Sequence, residues 1–149
     1  MTQPQLSFER RDPDAVLPSK AHPGDAGYDL YAIVDAEVAP GDRAMVGTGL
    51  AVAIPDGYAG FVLPRSGLAS RQGLTLANAP GLIDAGYRGE LICAVVNLDR
   101  DTPVRIRKGD RIAQLVILPI PDLEPGWTDE LPVSSRGEGG FGSTGVGTA

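Results

Sequence analysis

The sequence predicts an all-β domain, either a sandwich or a barrel, and three features of the chain support that class. No long stretch carries apolar residues at the spacing of an amphipathic helix. Glycine, with 20 residues, and proline, with 13, recur throughout and divide the chain into short pieces. The pieces between them are rich in valine, isoleucine and leucine, as strands are.

Several of these pieces are predicted to be strands because turn signals separate them. The predicted strands are residues 6–10, 28–33, 44–54, 59–64, 90–97 and 112–118. The turn signals are His22-Pro-Gly-Asp25, Pro40-Gly-Asp42, Pro55-Asp-Gly57 and Lys108-Gly-Asp110. One short helical turn is predicted after Pro64, over residues 66–71.

Two of the predicted strands are apolar on both faces, at residues 91–96 and 112–117. A strand that is apolar on both sides is expected to be buried on both sides. A monomeric sandwich of this size offers few such places, and a subunit interface offers more. We therefore expect a homo-oligomer.

The length of 149 residues fits one domain, which can bury about two-thirds of its unfolded surface. The single cysteine, Cys93, excludes an intrachain disulfide and a zinc site built on several cysteines. Because His22 is the single histidine, any catalysis must depend mainly on carboxylates, arginines, backbone groups or a metal.

The net charge of −6 argues against a general nucleic-acid binder, although locally converging arginines could still bind a small anion. The N-terminal stretch MTQPQLSFERRDPDAV has no apolar segment of signal-peptide length. No run approaches the ~20 apolar residues of a membrane span. We expect a cytoplasmic protein that binds neither nucleic acid nor a membrane.

Five stretches carry polar residues that a plain β domain does not need, and the first is Ala21-His-Pro-Gly-Asp-Ala-Gly-Tyr-Asp-Leu-Tyr31. Asp25 is expected to be a turn residue. Asp29 lies inside an apolar strand pattern, where a carboxylate must be solvated, paired or near a cation. A turn cap that points inward explains Asp29 equally well.

The second stretch is Pro64-Arg-Ser-Gly-Leu-Ala-Ser70. Ser66 and Gly67 open the predicted helical turn, where free backbone N–H groups can bind phosphate, and Arg65 adds positive charge. An N-cap role explains Ser66 alone about as well. A covalent nucleophile is not favoured, because no Gly-x-Ser-x-Gly elbow occurs and the single histidine adjoins a turn proline.

The third stretch, Asn78-Ala-Pro-Gly-Leu-Ile-Asp-Ala-Gly-Tyr-Arg-Gly-Glu90, places Asp84 and Tyr87 near the tip of a possible hairpin. From this stretch alone, a simple turn aspartate is the favoured interpretation of Asp84. The fourth stretch, Arg107-Lys-Gly-Asp-Arg-Ile-Ala-Gln-Leu115, puts the polar Gln114 in an apolar strand. A satisfied core amide is the alternative there.

The fifth stretch, Arg136-Gly-Glu-Gly-Gly-Phe-Gly-Ser-Thr-Gly145, has too many glycines for a strand or a helix. It is not a P-loop, since no Gly-Lys-Ser/Thr occurs. Its glycines, with Ser143 and Thr144, can nevertheless wrap phosphate oxygens through backbone N–H groups. Arg136 can neutralise charge and Phe141 can stack on a planar ring. Together the five stretches suit a nucleoside triphosphate.

In these stretches the chain resembles the trimeric dUTPases, the deoxyuridine triphosphate nucleotidohydrolases. The five motifs of that family occur in order over about residues 16–145, and five ordered motifs are far more specific than one. They are Gly24-Asp-Ala-Gly-Tyr-Asp29, Pro64-Arg-Ser-Gly67, Gly81-Leu-Ile-Asp-Ala-Gly-Tyr-Arg-Gly89, Lys108-Gly-Asp-Arg-Ile-Ala-Gln-Leu115 and Arg136-Gly-Glu-Gly-Gly-Phe-Gly-Ser-Thr-Gly145. Gly86 departs from the pattern, since many members carry an acidic residue there.

The resemblance implies a jelly-roll-like β subunit over residues 1–135 and a flexible C-terminal lid over residues 136–149. It implies a homotrimer whose active sites are built from several subunits. It also implies hydrolysis of dUTP to dUMP and pyrophosphate with Mg²⁺, which keeps uracil out of DNA and supplies dUMP for dTMP synthesis.

The resemblance assigns each motif a role. Asp84 would take a proton from the water that attacks the α-phosphorus, and Asp29 would hold Mg²⁺ through its water shell. The other matched positions would bind substrate. They are Arg65, Ser66, Gly67 and Gln114 at the α- and β-phosphates, Asn78 at uracil, Tyr87 at the deoxyribose, and Arg136, Phe141, Gly142, Ser143 and Thr144 in the lid.

Two other interpretations fit parts of the sequence. A dCTP deaminase shares the fold and a similar third motif, but it needs a glutamate that activates water, and Ala94 stands at the corresponding position. A non-enzymatic β-rich interaction module would explain the strands and the apolar faces. It would not explain why the polar exceptions form a constellation for phosphate, metal and base.

Overall fold

Ten strands and one short helix make up the part of the chain that this computed structural model describes, residues 5–145 and 147. They are β1 (Ser7–Arg10), β2 (Tyr28–Tyr31), β3 (Ala36–Val38), β4 (Arg43–Ala53), β5 (Tyr58–Leu63), α1 (Ser66–Gln72), β6 (Leu74–Leu76), β7 (Gly81–Ile83), β8 (Glu90–Asn97), β9 (Val104–Ile106) and β10 (Arg111–Pro119). With seven residues, the one described helix is far too short to cross a membrane.

The strands form two four-stranded antiparallel sheets, with orders β1-β4-β8-β6 and β2-β10-β5-β7, and β3 pairs with β9 in a separate ribbon. The core lies between the sheets, where Leu91 and Val95 of β8 pack in one cluster with Leu30 and Leu115 of the second sheet. These side chains are at most 1% exposed. The prediction of an all-β class with one short helix is confirmed.

The six predicted strands and the predicted helical turn agree with the structure to within two residues at each end. Four strands escaped prediction: β3, β6, β7 and β9. Each has three residues, which is too short for a period of two to stand out from the background.

The four predicted turns are confirmed by their backbone. The glycine of each lies at a positive φ, between 77° and 89°, where a residue with a Cβ is strained. In the first turn the Asp25 carboxylate accepts a hydrogen bond from the His22 N–H at 2.8 Å. Asp25 is therefore the turn residue that the sequence predicted.

The prediction that residues 78–90 form a hairpin is wrong. β7 pairs with β5 in the second sheet, whereas β8 pairs with β4 and β6 in the first. Residues 84–89, which we name the crossover loop, therefore pass from one sheet to the other. The glycine and aspartate turn signals are the same in both arrangements, and the sequence revealed neither the short strand β7 nor its pairing with β5.

The outer face of β8 is less buried than the sequence predicted. Ile92 is 47% exposed, and Met45 of β4 and Leu82 of β7 are 67% and 59% exposed. This apolar face therefore has no cover from the described residues of its own chain. The expectation of an oligomer remains a prediction that this surface supports.

The buried thiol of Cys93 gives a test of the core. Burial raises the pKa of Cys93 to about 12, so about 10⁻⁴ of it is thiolate at pH 8. Because the thiolate is the reactive form, we expect reaction with a disulfide reagent at pH 8 to be at least about 100-fold slower in the native protein than in urea. The native rate should rise with pH. A native rate equal to that in urea would contradict this packing.

Candidate functional site

The first, second and fourth motifs meet in a cleft of about 320 Å³, which we name the phosphate cleft. β10 runs between β2 and β5, and Gln114 is paired with Asp29 on one side and with Leu63 on the other. The chain after Leu63 therefore arrives beside Asp29. The cleft is lined by Ala21, Asp25, Ala26, Gly27, Asp29, Arg65, Ser66, Gly67, Arg111 and Gln114.

Asp29 is held between two arginines in this cleft. Its Oδ1 lies 3.4 Å from Arg65 Nε and its Oδ2 lies 3.4 Å from Arg111 Nη1. The Asp29 side chain is 16% exposed, so the pairing offsets the loss of hydration. The sequence-based alternatives are thus decided: Asp29 is a paired strand carboxylate and not a turn cap.

The sequence interpretation did not single out Arg111. A bulge in β10 shifts the register so that Arg111 is opposite Tyr31 while Ala113 is opposite Leu30. The shift puts Arg111 on the same face of β10 as Gln114, because Tyr31 and Asp29 share a face of β2. The one sequence signal for Arg111 was its place within the fourth motif. The bulge that turns Arg111 toward Asp29 could not be predicted from the sequence.

The start of α1 forms the wall of the phosphate cleft next to Arg65. Arg65 is the N-cap residue, with φ −89° and ψ 124°, and no side chain caps the helix. The N-cap interpretation of Ser66 is therefore wrong, because Ser66 is the first helical residue. The first intrahelical bond runs from Ala69 N–H to the Arg65 carbonyl, so the N–H groups of Ser66 and Gly67 come before it.

Gln114 is fixed in the cleft by two neighbouring segments. Its Nε2 donates a hydrogen bond to the Pro64 carbonyl at 3.1 Å. A Cβ added at Gly27 would clash with the Gln114 Oε1, so the backbone of residue 27 lies directly against this amide. Gln114 is thus both a satisfied, half-buried amide and a cleft residue, and the two sequence interpretations do not exclude each other.

A second cleft, of about 350 Å³, carries the third motif, and we name it the nucleoside cleft. Asp84 is exposed at its edge, and the Asp84 carbonyl accepts a hydrogen bond from the Tyr87 N–H at 3.0 Å. The Tyr87 hydroxyl donates to the Glu90 carbonyl at 3.0 Å. The cleft is lined by Met45, Asn78, Leu82, Ile83, Asp84, Tyr87, Glu90 and Ile92.

Asp84 and the phosphate cleft lie at opposite ends of β5. Gly60 is paired with Ile83, so Asp84 follows on the side of Ala59, whereas Arg65 lies beyond the other end of the strand. Six residues of extended chain separate positions 59 and 65, which corresponds to about 20 Å. A single chain therefore does not bring Asp84 to the phosphate cleft.

The described residues of the glycine-rich tail line neither cleft. The hydrogen bonds of its described residues stay within residues 134–145, for example from Arg136 Nε to the Gly139 carbonyl at 2.7 Å. Phe141 is fully exposed. Substrate binding by the tail thus stays a prediction for Arg136, Phe141, Gly142, Ser143 and Thr144. Residues 146, 148 and 149 of the predicted lid lie outside the described residues.

The family model for dUTPase matches residues 14–145, which include both clefts and the described tail motif. The chain belongs to the dUTPase family. A deoxyuridine 5'-triphosphate nucleotidohydrolase from Thermobifida fusca is 57% identical over 141 residues, which cover 95% of this chain and 79% of the relative. One of the same name from Mycolicibacterium gilvum is 54% identical over 145 residues and 94% of both chains.

Solved dUTPases share the fold. The dUTPase of Staphylococcus bacteriophage 80alpha with dUpNHpp has a TM-score of 0.89 and 34% identity, covering 97% of this chain and all of that chain. A mutant dUTPase from phage phi11 of S. aureus, described with a structural Mg(II) ion, has a TM-score of 0.81 and 29% identity, covering 87% of this chain. The jelly-roll-like fold implied by the resemblance is thereby confirmed.

Proposed function

We propose that this chain hydrolyses dUTP to dUMP and pyrophosphate. One observation carries the proposal: a chain of the dUTPase family has an arginine-lined phosphate cleft and a separate nucleoside cleft with an exposed carboxylate at its edge. A triphosphate needs converging cations and a nucleoside needs a partly apolar cleft. Its relatives are named for the same reaction.

The phosphate cleft binds the α- and β-phosphates through Arg65, Ser66, Gly67 and Gln114. A guanidinium has five N–H donors, so Arg65 and Arg111 each keep donors for phosphate after pairing with Asp29. The backbone N–H groups at the start of α1 add neutral donors. Donors fixed in advance favour the transition state, and the loss of one typically raises the barrier by about 3 kcal/mol.

Magnesium fits this cleft as a companion of the substrate. The described residues contain no group of three or more metal-ligating side chains, so they form no protein cage for the ion. Asp29 supplies one carboxylate in the cleft, which suits an ion held mainly by phosphate oxygens and waters, with Asp29 accepting hydrogen bonds from those waters. When bound, Mg²⁺ would offset negative charge on the phosphates and on the departing pyrophosphate.

The nucleoside cleft selects deoxyuridine. Asn78 and nearby backbone groups complement the hydrogen-bonding edge of uracil, and cytosine would leave them unpaired because it presents a donor where uracil has an acceptor. Tyr87 lies beneath the deoxyribose and excludes a 2′-hydroxyl. Its ring is held by its bond to the Glu90 carbonyl and by contact with Gly89, where a Cβ would clash with it.

Asp84 is the general base. Its carboxylate accepts a proton from a water, the water oxygen bonds to the α-phosphorus, and the bond from that phosphorus to the bridging oxygen breaks. The pyrophosphate takes the bond electrons and leaves. The exposure of Asp84 at the end of β7 leaves its carboxylate free to face a substrate.

The active site is shared between subunits of a homotrimer. Because Asp84 and the phosphate cleft of one chain lie at opposite ends of β5, the Asp84 of one subunit acts on phosphates held by the Arg65 of another. The exposed apolar face at Met45 and Ile92 offers a surface for subunit contact. Residues 120–135, which are exposed throughout and include Trp127, offer another.

The C-terminal tail closes over the bound nucleotide. Phe141 stacks on uracil, and Arg136, Ser143 and Thr144 bind the γ-phosphate. Gly142 lies at φ 85°, which lets the backbone approach the phosphates without a side chain in the way. Closure excludes all water except the attacking molecule.

The first test is Asp84→Asn, which keeps the shape of the side chain but removes its basicity. We expect kcat for pyrophosphate release from dUTP to fall by about 100-fold or more, since a general base contributes about 10²–10⁴-fold. The affinity for dUpNHpp should change little. Asp56→Asn, in the exposed turn before β5, is the matched control and should retain full turnover. Equal turnover in both variants would remove Asp84 from this role.

The second test is deletion of residues 136–149, with deletion of residues 146–149 as the control because it keeps the described motif. We expect the longer deletion to leave the β fold and the oligomer intact, because the hydrogen bonds of the described tail residues stay within residues 134–145. Turnover of dUTP should fall by about 100-fold, the size of effect seen when a positioning group is misplaced. Near-normal turnover in the longer deletion would refute the lid.

A further inference from the structure

The crossover loop carries Asp84 and Tyr87 but has no strand partner that would fix it. Within the loop, Arg88 folds back so that its Nη1 donates to the carbonyls of Ala85 at 2.6 Å and Tyr87 at 2.9 Å. These bonds fix the shape of the loop but not its position on the domain. Position requires contacts with residues outside residues 84–89.

One such contact comes from Arg11, which is 77 residues away in sequence. The Arg11 Nη2 donates to the Arg88 carbonyl at 2.7 Å. The backbone of Arg11 is itself anchored, since its N–H donates to the Gly49 carbonyl at 2.8 Å. A charged donor on a fixed backbone thus reaches the C-terminal half of the crossover loop.

A second contact reaches the same glycine from the other side. The Gly49 N–H donates to Glu90 Oε1 at 2.8 Å, and the Glu90 carbonyl accepts the bond from the Tyr87 hydroxyl. Gly49 lies in the irregular part of β4, at φ 65°, where an added Cβ would lie 2.7 Å from the Asp12 Cβ. Gly49 is therefore the common anchor of Arg11 and Glu90.

We infer that Arg11 is a positioning residue for the reaction, which holds the crossover loop on the Gly49 anchor so that Asp84 and Tyr87 keep their places at the nucleoside cleft. The inference rests on the proposed function, because it assigns Arg11 an effect on that reaction. Arg11 lines neither cleft, so its effect passes through the Arg88 carbonyl.

The consequence is a specific kinetic signature. Loss of the Arg11 bond leaves the sheets intact, because its side chain is 40% exposed and contributes nothing to the core. The loop then samples other positions. This movement disturbs the placement of Asp84 for attack more than it weakens substrate binding. Misplacement by a fraction of an ångström is enough to lower kcat, so we expect a fall of about tenfold with KM changed by less than about threefold.

The experiment compares Arg11→Met with Arg10→Met, which removes the same charge and length from the neighbouring exposed position. Among the described residues the Arg10 side chain has no hydrogen bond or ion pair, so it should keep wild-type kcat. Glu9→Gln weakens the 3.4 Å ion pair between Arg11 and Glu9 and should also leave kcat unchanged. Equal kcat in Arg11→Met and Arg10→Met would overturn the inference.

Two further measurements separate positioning from general stability. Hydrogen exchange of the peptide over residues 84–90 should be faster in Arg11→Met than in Arg10→Met, while exchange over β8 and β10 stays equal. Arg11→Lys keeps a charged donor for the Arg88 carbonyl and should recover part of the kcat that is lost in Arg11→Met. Faster exchange throughout the chain, or a lower melting temperature that accounts for the lost activity, would overturn the inference.

The failure of this inference differs from the failure of the proposed function. If the wild-type protein releases no pyrophosphate from dUTP, the proposed function is refuted, and hydrogen exchange over residues 84–90 still tests the loop anchor. If the wild-type protein hydrolyses dUTP and Arg11→Met matches Arg10→Met, the proposed function stands and the positioning role is refuted.

Discussion

The pairing of β10 with β2 and β5 is the constraint on which the phosphate cleft depends. It sets Gln114 between Asp29 and Leu63, and the chain that leaves β5 then has to place Arg65 beside Asp29. A shift of one residue in either pairing would turn these side chains to the opposite face of the sheet. The bulge near the start of β10 is part of this constraint, because it puts Arg111 on the Asp29 face.

Strand β5 connects the phosphate cleft at one end with the position of Asp84 at the other. β5 ends at the phosphate cleft with Leu63, and its other end lies beside Asp84 through the pairing of Gly60 with Ile83. A rigid strand cannot be shortened, and this separation is the reason for our proposal that the clefts of different subunits face each other. The proposed assembly would also explain the exposed apolar side chains of Met45 and Ile92, because a surface that is buried between subunits need not be polar.

Long strands and glycine turns could be predicted from the sequence because their signals are local. These signals are apolar runs rich in valine, isoleucine and leucine in β4, β8 and β10, and glycines in the turns. The ordered motifs named Asp29, Arg65 and Gln114, which the structure brings together in the phosphate cleft, while their roles on a substrate stay predictions. The arginine that completes the pair around Asp29 depends on a bulge, and the crossover loop depends on which sheet receives β7. The bulge and the pairing of β7 both depend on contacts between residues that are far apart in the sequence. In addition, a strand of three residues such as β7 has too short a pattern to be recognised.

The charges around Asp29 bear on how the phosphate cleft would accept a triphosphate. Without substrate, the Asp29 carboxylate pairs with the guanidinium groups of Arg65 and Arg111. Each of the two pairs is long, at 3.4 Å. Such pairs are only partly desolvated and contribute little to stability. In the function proposed above, a triphosphate would offer the arginines stronger, charge-assisted bonds, and the Asp29 carboxylate would then accept hydrogen bonds from magnesium-bound water. The two guanidinium groups carry one positive charge more than Asp29 offsets, which suits the proposed binding of an anionic substrate.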